Sequence, residues 1–101
     1  MILNNWSEQK KDYRYYVIEN SDKHETYIEA GWKLHERSAY KEAIRCYKKG
    51  IELQNENSEL WCKMGLTYHN LGKNKKARFC YKRAIKIDGN NSEATYYLGF
   101  L

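Results

Sequence analysis

Apolar side chains return along this chain at intervals of three and four residues, the period of an α-helix with one buried face. Trp61, Met64, Gly65 and Tyr68 form one such stripe, and Ala77, Tyr81, Ala84, Ile85 and Ile87 form the next. Leu71-Gly72 separates them, and a glycine there suits the left-handed residue that ends a helix. Ser58 and Asn74 read as N-caps. Asp88-Gly89-Asn90-Asn91 breaks the second stripe. The pattern therefore predicts two helices joined by a tight turn over residues 58–91.

The same pattern stands once before. Residues 24–57 laid over 58–91 without a gap match at Glu25/Glu59, Gly31/Gly65, His35/His69, Lys41/Lys75, Ala43/Ala77, Cys46/Cys80, Tyr47/Tyr81, Lys48/Lys82, Ile51/Ile85 and Asn57/Asn91. Tyr27/Trp61, Ala30/Met64, Leu34/Tyr68, Gly50/Ala84 and Leu53/Ile87 are similar in kind. In this copy Asp22 and Glu25 read as a capping box, Arg37-Ser38 as the turn, and Gln54–Asn57 as the breaker. A third, incomplete copy begins at Ser92, where Glu93, Leu98 and Gly99 continue the register. Gly31 and Gly65 fall inside helices, where glycine costs about 1 kcal/mol relative to alanine. Their recurrence predicts close approach by a neighbouring helix, with Tyr27, Tyr47, Tyr68 and Tyr81 as wedges and Ala43, Ala77 and Ala84 as the small residues that receive them.

Trp61-x-x-Met64-Gly65-x-x-Tyr68 followed by Ala77-x-x-x-Tyr81-x-x-Ala84 resembles the tetratricopeptide repeat. Tyr27, Ala30, Gly31, Leu34, Ala43 and Tyr47 carry the same motif in the first copy, with Gly50 where alanine is usual, and Leu98-Gly99 carries it in the third, where Thr95 replaces the aromatic. The family's proline after the second helix is absent. The resemblance implies an all-α fold, a right-handed stack of antiparallel helix pairs whose first helices line a concave groove. The division it implies is a segment 1–23, repeats at 24–57 and 58–91, and the first helix of a further repeat at 92–101. Trp6, Tyr13, Tyr16, Val17 and Ile18 favour a helix over residues 1–23 that caps the first repeat, with a short strand at 13–18 as the alternative.

The resemblance also assigns a groove-facing stripe: Glu25, Ile28, Trp32, His35 and Glu36, then Glu59, Cys62, Leu66, His69 and Asn70, then Glu93, Tyr96 and Phe100. Its centre is apolar, Glu25, Glu59 and Glu93 recur once per repeat, and Trp32 lies off the inter-helix stripe. A tryptophan in a concave apolar patch is the chemistry of a binding hot spot; the alternative is that the N-terminal segment covers it. Chaperone-binding members of the family hold a terminal carboxylate with lysine, arginine and asparagine. The corresponding positions here are Ile28, Trp32, Lys63, Glu93 and Tyr97, with one cation and one repelling carboxylate, which argues against that clamp. The expected partner is a protein or peptide with an apolar or amphipathic segment and basic flanks. Large apolar residues from Tyr96 to Leu101 add an expectation of self-association, docking on another chain, or continuation into a longer array.

Composition narrows the alternatives. Charged residues make up 31% of 101, and the mean hydropathy of −0.96 leaves no run of the about 20 apolar residues that a membrane span requires. Three cysteines and the lack of a signal-like N-terminus favour a reducing, cytoplasmic setting. Cys46 and Cys80 read as inert packing. His35 and His69, with Cys62 between them, share a face but belong to repeats about one helix-packing distance of 10 Å apart, too far to converge on zinc. No nucleophile motif or phosphate loop occurs, so neither catalysis nor a cofactor is expected. The net charge of +5 resides wholly in residues 58–101, with eight Lys/Arg against three Asp/Glu, because 1–57 carry ten of each. Lys73, Lys75, Lys76, Arg78, Lys82, Arg83 and Lys86 crowd one predicted helix. They read as a solvated convex face or, as an alternative function, as a surface for RNA, a ribonucleoprotein or an acidic partner.

Overall fold

The computed structural model describes residues 24–101. Among the described residues five helices follow in order: α1 (His24–Glu36), α2 (Tyr40–Leu53), α3 (Ser58–Asn70), α4 (Asn74–Ile87) and α5 (Ser92–Leu98). No strand occurs among the described residues. The N-terminal capping helix expected at 1–23, and the Asp22 half of the capping box, lie outside them.

The two αα turns use one device. At the end of α1, Ala39 N–H reaches Leu34 O at 2.8 Å and Ser38 N–H reaches His35 O at 2.8 Å; at the end of α3, Lys73 N–H reaches Tyr68 O at 2.9 Å and Gly72 N–H reaches His69 O at 2.9 Å. This paired bonding satisfies carbonyls that a helix end would otherwise leave open, and it needs a left-handed residue at its centre. Gly72 takes that role at φ 79° and Ser38 at φ 64°.

The helix starts correct two expectations. Ser58 is the first helical residue of α3, not its cap; Asn57 Oδ1 accepts the Leu60 N–H at 2.9 Å. Asn91 does the same for Ala94 at the start of α5. An amide one residue earlier takes the capping position and frees the Ser58 hydroxyl, which donates to Ala84 O at 2.8 Å and accepts from Asn91 Nδ2 at 2.7 Å. Ser58 thus ties the start of α3 to the end of α4 and the entrance of α5. Asn74 likewise begins α4 rather than capping it, and Lys73 precedes it with no side-chain cap.

Packing follows the repeated stripes. Tyr27, Tyr47 and Tyr81 are fully buried and Tyr68 nearly so, as are Ala43, Ala77 and Ala84. A Cβ on Gly65 would stand 2.8 Å from Tyr81 Cε1, and one on Gly31 would overlap the Tyr47 ring. The mid-helix glycines therefore exist to admit the tyrosine of the following helix. Leu53, expected on the second stripe, is 47% exposed because it is the last residue of α2, where the chain turns away. Each hairpin packs internally, α2 bridges to α3, and α4 bridges to α5. α1 also touches α3 and α3 touches α5, whereas no comparable packing joins α2 to α4. The first helix of each pair thus forms the inner layer, and α2 and α4 form the outer one.

Candidate functional site

The expected groove residues lie on α1, on α3, and on α5 and the turn that follows it, with unequal exposure. Tyr96 and Phe100 are 63% and 62% exposed, with their rings edge-on at 5.0 Å. Trp32, Ile28, Leu66 and His69 are half-buried, and Glu25, Glu59 and Glu93 are exposed. Cys62 is buried, so its thiol is not open to solvent. Its sulfur lies 3.9 Å from Glu93 Oε1, and burial first, then that carboxylate, push the thiol up to about 12. Burial likewise raises Cys46 to about 11 and Cys80 to about 12, so all three free cysteines stay protonated and unreactive at neutral pH.

Trp32 is held in a defined pose. Its ring stacks on His35 with centroids 4.7 Å apart and planes 17° apart, and the Lys63 ammonium lies 4.2 Å from its centroid. His35 is fixed in turn by the next repeat. The Thr67 hydroxyl donates to Lys63 O at 3.0 Å, so its oxygen accepts from His35 Nδ1 at 2.8 Å. His35 Nε2 then accepts from Asn70 Nδ2 at 3.0 Å. Both ring nitrogens are satisfied by a neutral imidazole with the proton on Nδ1. Burial first, and the Lys63 charge second, hold its pKa below the ordinary value. Thr67, itself fully buried, escapes a reading based on apolar stripes, because it is a polar residue on a buried face.

The basic residues lie on the outer layer. Lys73, Lys75, Lys76, Lys82 and Lys86 are exposed, and Arg78 and Arg83 are half-buried. Lys76 leans over the Tyr68 ring at 5.6 Å. Phe79, 63% exposed among these cations, escaped the sequence reading; its signal is an aromatic that falls outside the Ala77-Tyr81-Ala84 stripe. Among the described residues no group of three or more His, Cys, Asp or Glu converges for a metal ion, and no helix is long and apolar enough to cross a membrane.

A stack of paired helices with an aromatic-lined inner layer defines a helical-repeat protein of the kind that offers one face to a partner. A TPR repeat profile matches residues 31–72, and a tetratricopeptide repeat profile matches residues 58–91. The chain belongs to the tetratricopeptide repeat family. Among solved structures it is similar to MamA, with a TM-score of 0.83 at 22% identity over 89% of this chain and 53% of that one, so the chain spans about half the length of MamA. It is similar to the second TPR of Spaghetti (RPAP3), solved bound to the HSP90 peptide SRMEEVD, with a TM-score of 0.76 at 26% identity over 81% of this chain and 76% of that one. It is also similar to YrrB, described as a TPR protein with an unusual peptide-binding site, with a TM-score of 0.78 at 22% identity over 87% and 45% of the two chains. A search of curated protein sequences found no match. The family and its peptide-binding neighbours support a protein-interaction module.

Proposed function

We propose that the inner layer binds an amphipathic or extended apolar peptide segment carrying basic flanks, and that the chain acts as an adaptor or as a subunit of a larger, cytoplasmic assembly. The observation that carries this reading is the alignment of Trp32, Leu66 and Phe100, three large apolar side chains at one repeat register, with Phe100 and its neighbour Tyr96 left open to solvent. Apolar anchors of this size supply most of the energy in a peptide groove. Exposed Glu25, Glu59 and Glu93 would meet the basic flanks and set orientation more than affinity.

A carboxylate clamp of the kind that chaperone-binding members use fits poorly. Lys63, the sole cation at the clamp positions, has its ammonium over the Trp32 ring, and Glu93 reaches in beside Cys62. A terminal carboxylate would meet one engaged lysine and one negative charge.

The test is binding of a helical peptide with an apolar face and lysine flanks, measured by calorimetry. Trp32→Ala and Leu66→Ala should each weaken it at least tenfold, corresponding to about 1.4 kcal/mol or more. A peptide ending in a free carboxylate should bind no better than its amidated form. Unchanged affinity in both variants would refute the groove.

A further inference from the structure

The outer face of α4 is built differently from the groove and is separate from it. At 3.6 residues per turn, Phe79 sits at the centre of a stripe with Lys75, Lys82 and Lys86 on one flank and Lys76 and Arg83 on the other, all within about 60° of it. The helix contains no acidic residue, and none of these cations pairs with a carboxylate among the described residues. Phe79 is the large apolar side chain that α4 leaves open, 63% exposed. Its ring is not loose. It stands edge-on to Trp61 at 6.0 Å and 71°, and the Trp61 indole is anchored by donating Nε1–H to Asn55 O at 3.0 Å. The Arg83 guanidinium lies 5.5 Å over the same indole, and its buried Nε has no acceptor.

A braced aromatic surface ringed by cations without carboxylate partners has the two elements that single-stranded nucleic acid requires: a platform on which a base stacks and positive charge along the path of the phosphates. We propose that this face binds single-stranded nucleic acid, with an unpaired base against Phe79 and phosphates along Lys75, Lys82 and Lys86. A lipid surface fits less well, because interfacial helices insert several apolar side chains and Phe79 stands alone. A duplex would offer phosphates to the lysines but no open base to the ring. An acidic protein would use the charges and leave the exposed phenyl unexplained.

The experiment is fluorescence anisotropy with a labelled twelve-residue oligothymidylate and the full chain, at several salt concentrations. Binding should weaken with salt, since each neutralised phosphate releases counterions. Phe79→Ala should lower affinity about tenfold with the salt dependence unchanged. The triple change Lys75→Glu, Lys82→Glu and Lys86→Glu should abolish binding. All four positions lie on an outward face, and circular dichroism melts check that the variants fold. Unlabelled duplex or poly-glutamate competing as well as the single strand would overturn the proposal. So would equal affinity in Phe79→Ala, or no binding to the oligonucleotide.

Discussion

Ser38 performs with a side chain what Gly72 performs without one. Both centre the bonded turn that ends an inner helix, at φ 64° and 79°. A left-handed conformation costs an ordinary residue roughly 1–2 kcal/mol, while glycine returns part of that gain through greater freedom in the unfolded chain. Ser38→Gly should therefore stabilise the protein by about 0.5–1 kcal/mol. That change corresponds to a rise of several degrees in the thermal midpoint of a domain this size. A lower midpoint would mean that the Ser38 hydroxyl contributes more than the strain costs. This pairing was open to sequence reading, because the two copies align Ser38 with Gly72. The caps were less so. Asn57-Ser58 offers two good capping residues in succession, and only the position of the Ala84 carbonyl and the Asn91 amide decides which one serves.

Within an element, the interior glycines carry the sharpest consequence. Alanine is the better helix former by about 1 kcal/mol, yet Gly65→Ala would thrust a methyl group into the Tyr81 ring at 2.8 Å and Gly31→Ala into that of Tyr47. Overpacking of this kind costs about 1–3 kcal/mol and outweighs the propensity gain. Gly50 differs. Its nearest neighbours are the movable Leu60 Cδ2 at 3.0 Å and Tyr27 Cβ at 3.1 Å, and Ala84 fills the same position in the second repeat. Urea denaturation should rank Gly50→Ala as the most stable of the three variants, and equal losses would contradict the tyrosine-wedge account. The buried faces of these helices were legible because their residues recur in phase. Phe79 was not, since periodicity identifies what faces inward and is silent about an aromatic on the solvent side.

At the scale of the whole molecule, adjacent repeats are joined by polar contacts as well as by core packing. His35 of the first repeat reaches Thr67 and Asn70 of the second and braces Trp32. The folded state favours the neutral imidazole, so its pKa lies below the ordinary 6.5. The unfolded chain then binds a proton more readily than the folded one. The stabilisation is complete above about pH 6.5 and is lost as pH falls through the folded value. Unfolding midpoints at pH 7.5 and 5.5 should show a loss of stability in the wild type and a smaller loss in His35→Gln; the same loss in both would assign the effect to other groups. The stacked fold was readable from two in-phase copies of one motif. The expected groove was readable only as a register: sequence placed Cys62 in line with Ile28 and Tyr96, and in the structure it is buried, beside Glu93 of α5.

In the proposed function the inner layer, with Trp32 at its heart, is the peptide-binding surface. Amide and side-chain NMR shifts recorded while titrating a helical peptide with an apolar face and lysine flanks distinguish it from the outer layer. The largest changes are expected at Ile28, Trp32, Leu66, Tyr96 and Phe100, with Phe79 and the lysines of α4 unmoved. Changes centred on α2 and α4, with the Trp32 indole signal unmoved at saturation, would contradict it.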